Sequence, residues 1–233
     1  MSRVVSALAD RSLTAAVYKR LRADILACRL PPGEKLKVNE LALSLKVSLG
    51  AVREALARLS AENLVVSEAQ RGFTVAPVSE ADLIDLTNVR IQIETTVIRD
   101  AITNGDLNWE SRIVASSHRL ANTPLRQPDD DARLNDAWSL AHAEFHLSLV
   151  AACGSPRLLS LRTMLSEQAE RYRRFSVPLD IHSRDLAQEH KQLLEAALSR
   201  NADAAAQLLE AHLTATTQIL LDASRAGRLA VAE

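Results

Sequence analysis

From Ser79 onward the apolar residues recur every three or four positions and nowhere alternate one by one. Leu83, Leu86, Val89, Ile93, Val97, Ile98 and Ile102 form one such stripe, opened by the capping-box-like Ser79-Glu80-Ala81-Asp82 and closed by Asn104-Gly105. Similar patterns run from roughly Leu107 to Ala121, Asp131 to Ala152, Pro156 to Phe175, Ile181 to Ser199 and Ala202 to Ala223. The breaks are Asn122-Thr123-Pro124, Gly154-Ser155-Pro156, Val177-Pro178 and Arg200-Asn201. A helical period with no strand pattern limits residues 79–233 to an antiparallel all-α bundle of about six helices. Composition agrees, because aromatics are only 3% of a chain that is 47% hydrophobic, which leaves the apolar content to good helix formers.

Residues 1–78 carry a different pattern. Val17, Leu21 and Ile25 lie at helical spacing within Leu13 to Ala27, with Ser12 or Thr14 available as N-cap, and Leu30-Pro31-Pro32-Gly33-Glu34 must end that helix. Two short apolar runs follow, Leu41, Ala42, Leu45 and then Val52, Leu56, Leu59, on either side of Lys46-Val47-Ser48. This is the spacing of a helix-turn-helix, with Ala42 small enough for the crossing and Ser48 placed to cap the second helix. Leu64 to Ser67 and Gly72 to Val75 read as a hairpin with Arg71-Gly72 at its tip. Through Val78 the chain has 12 basic and 7 acidic residues, and after it 16 and 22, so a basic head precedes an acidic remainder. That asymmetry suits nucleic acid. The alternative is a small helical domain with a hairpin that binds no DNA.

The stretch from Tyr18-Lys19-Arg20-Leu21-Arg22 through Pro32-Gly33-Glu34-Lys35-Leu36, Val47-Ser48 and Val52-Arg53-Glu54-Ala55-Leu56 to Arg71-Gly72-Phe73 resembles the winged helix-turn-helix of the GntR family of bacterial transcription factors. The resemblance implies an operator contact by Arg53, assisted by Asn39, Ser48, Gly50, Arg71 and Gly72. Many members have Ser-Arg-Thr-Pro before Val-Arg-Glu, where this chain has Ser48-Leu49-Gly50-Ala51, so one DNA-reading arginine is missing. Leu49 and Ala51 could meet a thymine methyl in its stead. The competing role for Arg53 is a salt bridge to Glu54 or Glu40.

Cys28 and Cys153 stand far apart, with no CxxC pair. There is neither an apolar run long enough for a membrane span nor an export signal, which points to the cytoplasm. The histidines are more informative. His142 and His146, four apart, project from one helix face. His190 and His212 each lie eleven residues from Asn201, so in an antiparallel hairpin they sit at equal height and can face each other. Four imidazoles so arranged can hold zinc or nickel, although each alone is equally well a partly buried polar residue bonded to a carbonyl or carboxylate. A His-x-x-x-His metalloprotease would carry its general base directly after the first histidine, where this chain has Ala143, with Glu144 one position too late.

The segments Ala141 to His146, Ala152-Cys153-Gly154-Ser155-Pro156-Arg157-Leu158, Gln188-Glu189-His190 and Glu210-Ala211-His212 resemble the FCD effector domain of the FadR subfamily. There a divalent metal is commonly held by an aspartate and three histidines, and an effector carboxylate completes the coordination. The resemblance implies ligands at His146, His190 and His212, with His142 where the family has aspartate, a replacement that favours zinc or nickel over manganese. It also implies a pocket arginine at Arg90, whose alternative is a pair with Glu94. In Arg171-Tyr172-Arg173-Arg174 only one or two side chains can face inward, and Arg171 is the candidate. The sequence thus describes a homodimeric, ligand-responsive repressor that binds double-stranded DNA, not an enzyme. The rival readings are a constitutive DNA-binding protein with a purely structural bundle and a metalloenzyme fused to a DNA-binding head.

Overall fold

The structure, a computed structural model, describes residues 2–68, 72–179 and 184–226, and forms two compact units that divide at Ser79. In the first, α1 (Ser2–Leu26) precedes β1 (Lys35–Leu36), α2 (Val38–Leu45), α3 (Leu49–Ala61), β2 (Val65–Glu68) and β3 (Gly72–Val75). The α1 helix begins well before Leu13, so Ser12 and Thr14 are not its caps, and Thr14 is a buried residue within it. Lys46 takes the left-handed conformation (φ 55°) that turns the chain sharply between α2 and α3. β2 and β3 pair antiparallel from Val65↔Val75 to Glu68↔Gly72, and β1 adds to the other edge of β3. Val17, Leu21 and Ile25 pack with Val52, Leu56, Leu59, Leu64 and Val75 in one apolar core. The hairpin tip, including Arg71, lies outside the described residues.

The second unit contains α4 (Glu80–Asn104), α5 (Leu107–Ala121), β4 (Arg126–Gln127), β5 (Asp130–Leu134), α6 (Asp136–Val150), α7 (Pro156–Leu179), α8 (Leu186–Leu198) and α9 (Ala202–Arg225). Its core gathers Val97, Ile98, Trp109, Ile113, Phe145, Leu149, Leu193 and Leu209. Gly105 permits the tight turn from α4 to α5, because a Cβ there would come within 2.2 Å of the Trp109 ring. Three expectations need correction. Asp131 to Leu134 is not the start of a helix but part of a short antiparallel ribbon with β4, and α6 begins only after Asn135. The Asn135 Oδ1 accepts the Ala137 N–H at 2.9 Å and so fixes that start. The α7 helix runs through Val177-Pro178 to Leu179, and α8 starts at Leu186, capped by Asp185, whereas Ile181 lies outside the described residues. No helix among the described residues is long and apolar enough to cross a membrane.

The inward face of α4 also shifts from the expected stripe. Leu83, Leu86, Val97, Ile98 and Ile102 are buried, but Val89 is exposed, and Thr87 and Glu94 turn inward in mid-helix. A step of three or four residues from Leu83 leads through Thr87, Arg90 and Glu94 to Val97. A polar segment therefore interrupts the apolar face, and there the bundle opens into a cavity.

Candidate nucleic-acid interface and metal centre

On α3, Val52, Ala55, Leu56 and Leu59 point into the core while Gly50 and Arg53 are exposed and Leu49 is 43% exposed. Ser48 caps the helix, its Oγ accepting the Ala51 N–H at 3.2 Å, which leaves the other first-turn amides available to a phosphate. Arg53 makes no ion pair among the described residues: Glu40 instead bonds Lys37 at 2.8 Å, and Arg53 projects freely. Asn39, on the first turn of α2, is exposed as well. Ala51 is only 6% exposed, because it follows Gly50 round to the core side of α3, so the expectation of a DNA contact there is corrected. Gly72 opens β3 with φ 92°, a conformation that favours glycine, at the end of the strand next to the wing tip.

Helices α6, α8 and α9 bring the four histidines together. The ring centroids of His190 and His212 are 4.9 Å apart, those of His142 and His146 4.4 Å, and His146 Nε2 lies 3.4 Å from His190 Nε2. One ligand atom from each of the four can be chosen so that all lie within 4.8 Å of one another. Zn–N bonds of about 2.0–2.1 Å in a tetrahedron put neighbouring nitrogens about 3.4 Å apart, so the His146–His190 pair fits, and the widest pair closes by a shift of at most about 1.4 Å. Burial pushes all four imidazoles below their usual pKa, His142 and His146 far below and His190 to about 3. They are therefore neutral near pH 7, the state in which imidazole ligates. Glu189 Oε2 lies 2.7 Å from His212 Nδ1, so Nδ1–H donates to the carboxylate and Nε2 keeps its lone pair for a metal. Burial opposes ionisation of Glu189, yet hydrogen bonds from His212 and Arg184 take it down to about 2. Arg184 grips Glu189 with two bonds of 2.7 Å and also donates to the His212 carbonyl. Trp138 stacks on the half-buried His142 at 4.7 Å.

Beside the cluster lies a cavity of about 90 Å³, bounded by Arg90, His142, His146, Arg162, Arg173 and His212 among others. Arg90 bonds Glu94 through Nε at 3.0 Å and Nη2 at 2.7 Å, so it makes the internal pair and lines the cavity at once. Arg171 is buried but is not part of this wall. Two residues further on, Arg173 is, since α7 turns by about 200° between them. Arg173 also lies over the Trp138 ring at 5.2 Å. Residues 13–75 match the bacterial regulatory proteins of the gntR family, and residues 85–215 match the FCD domain. The chain belongs to the GntR family.

This GntR regulator is 40% identical to the HTH-type transcriptional regulator BphR of Paraburkholderia xenovorans LB400, over 90% of this chain and 86% of that one. It is 33% identical to the HTH-type transcriptional repressor GlaR of Escherichia coli K12, over 88% and 94%. Among solved structures, a transcriptional regulator GntR from Rhodococcus sp. RHA1 superposes with a TM-score of 0.72 at 25% identity, covering 91% of this chain and 99% of that one. The chain is therefore a transcription factor, not an enzyme. Sequence reasoning missed three members of the FCD site. Glu94 was weighed only as a partner of Arg90, Arg162 lies 68 residues from the carboxylate it meets, and Arg184 is 28 residues from His212. The one available signal was the polar run Thr87, Arg90 and Glu94, spaced along the face that Leu83 and Val97 otherwise make apolar.

Proposed function

We propose that this GntR regulator is a homodimeric repressor whose operator affinity is set by a small carboxylate bound beside a divalent metal in the FCD unit. The observation that carries this reading is the convergence of four buried or half-buried neutral imidazoles from three helices on one point. His142, His146, His190 and His212 would hold the ion, zinc by the chemistry of an all-imidazole set, with nickel as the alternative. A bound ion there supplies a positive centre for an effector carboxylate. Glu189 and Arg184 orient His212, and Arg90 borders the same cavity. Two ties connect this wall to the start of α4, the first helix after the DNA-binding unit: Tyr172 donates to Asp82 at 2.5 Å, and Thr87 and Thr217 share a hydrogen bond of 2.7 Å. An acid that binds differently when these ties are strained shifts the balance between DNA-competent and incompetent states.

On DNA, α3 would enter the major groove with Arg53, Leu49, Gly50 and Ser48, assisted by Asn39 and by the wing residues Arg71 and Gly72. A two-fold dimer places two such helices on half-sites of a pseudo-palindrome. The repressor named GlaR supports the sign of the regulation, and a DNA-binding regulator of this kind would act in the cytoplasm, where the operator lies. The test is metal content of untagged protein purified without chelator, beside His190→Ala, together with titration of an operator selected from random sequence in the presence of two- to six-carbon acids. About one zinc or nickel per chain, lost in the variant, is expected. At least one acid should change operator affinity roughly fivefold or more. Metal-free protein refutes the metal, and operator affinity indifferent to every acid leaves a constitutive DNA-binding protein.

A further inference from the structure

Around the cavity, among the described residues, one group of charges is unbalanced. Arg173 and Arg174 share Glu170, with Asp136 as a second carboxylate, and Arg184 is matched by Glu189. On α4 and α7, by contrast, a single carboxylate serves two guanidinium groups: Arg90 reaches Glu94 Oε1 at 2.7 Å, and Arg162 Nε reaches Oε2 at 3.2 Å. These side chains are only 16%, 1% and 6% exposed for Arg90, Glu94 and Arg162. Burial works to raise the Glu94 pKa, but the two arginines outweigh it and keep the carboxylate ionised. One positive charge is left over in the interior, where it is costly without a counter-ion. Arg162 spends only its Nε on Glu94. Its two terminal nitrogens have no hydrogen-bond partner among the described residues, and the residue lines the cavity. The free edge of a guanidinium is a two-pronged receptor for a carboxylate.

We propose that Arg162 is a second anion receptor in this pocket, selecting a short acid with two anionic groups, one at the histidine cluster and one in the Arg162 fork. This rests on the reading in which the effector binds at the histidine centre. The cluster offers four imidazoles and no carboxylate among its ligand atoms, so a monoanion leaves both a divalent ion and the arginine pair partly uncompensated. The size of the cavity, about 90 Å³, favours a compact acid over a long acyl chain.

The experiment is calorimetric titration of the zinc-loaded full chain with succinate and with butyrate, four-carbon acids that differ by one carboxylate, on wild type, Arg162→Gln and Arg162→Lys. Wild type should bind succinate roughly tenfold or more tightly than butyrate, the worth of a charged hydrogen-bonded pair. In Arg162→Gln the gap should fall to about threefold or less, with zinc content and melting temperature retained, and Arg162→Lys, which keeps the charge without the fork, should lie between. If Arg162→Gln does not fold, the narrowing in Arg162→Lys decides. Equal binding of the two acids by wild type, no binding of succinate at millimolar concentration, or a gap undiminished in the variants overturns the proposal. Zinc measured on the same samples separates the two readings. A chain without zinc that still loses the succinate gap on substitution refutes the metal centre and upholds Arg162.

Discussion

The two units place their chemistry in opposite ways. The GntR head keeps its candidate DNA contacts on the outside of α3, within a few residues of one another, on a helix held by Val52, Leu56 and Leu59. The FCD bundle builds its site in the interior, from α4, α6, α7, α8 and α9, with a buried carboxylate, two nearly buried arginines and three histidines each less than 7% exposed. An exposed site makes few demands on its neighbours, since water solvates the unused charge. A buried site must balance its own charge and protonation, so its stability depends on pH and on what is bound.

Acid should separate the two units most sharply. All six histidines lie at or beyond His118, so the GntR head has none. In the metal-free bundle, burial holds His142, His146, His190 and His212 below their ordinary pKa, His190 at about 3. Between the folded value and the unfolded value of about 6.5 the unfolded chain binds more protons, so stability is intact above that pH and is lost as pH falls toward 3. For His190 alone the loss at pH 5 is about 2 kcal/mol. Glu189, at about 2 in the fold, adds its own loss only below the ordinary glutamate range. Calorimetry of chelator-treated protein at pH 7 and pH 5 should show the bundle transition falling by roughly 4–8 °C or more, with the head transition nearly fixed. Equal movement of both would end the contrast.

The next effect belongs to the head. Arg53 is exposed and makes no ion pair among the described residues, so Arg53→Ala should leave melting unchanged and weaken operator binding by about 1–3 kcal/mol, roughly five- to 150-fold. Anisotropy titrations at several salt concentrations sharpen the assignment. A loss confined to the selected operator marks a base contact, whereas a uniform loss with a salt slope lower by about one marks a phosphate contact. Near-normal affinity would remove Arg53 from the interface.

What was legible in the sequence follows the same division. The helix-turn-helix depends on local spacing, and so does the pairing of His190 with His212, which equal distance from one turn dictates. The β4–β5 ribbon was hidden because Asp129 to Asp131 reads as a solvated helix start, and its pairing, such as Arg126 with Leu134, leaves no alternation to detect. Ala51 was misplaced by one step round α3, a matter of phase that a short helix leaves ambiguous until its core contacts are known. The Arg162–Glu94 pair spans 68 residues and depends on how α7 packs on α4, which no periodicity encodes.

The smallest effect tests whether one residue can serve both stability and recognition. Ser48 accepts the Ala51 N–H and stands exposed at the start of α3, where the helix dipole and unbonded amides favour a phosphate. Ser48→Ala removes the cap and should cost the head about 1 kcal/mol in chemical denaturation. Ser48→Asp keeps an acceptor for the Ala51 amide and so should retain stability, yet it sets a negative charge where DNA phosphate would approach. If α3 docks as proposed, the aspartate variant binds operator more weakly than the alanine variant while remaining the more stable of the two, and the two properties change in opposite directions at one residue. If both variants lose stability and binding in parallel, Ser48 acts only through the fold, and the DNA-facing surface must lie further along α3, around Arg53.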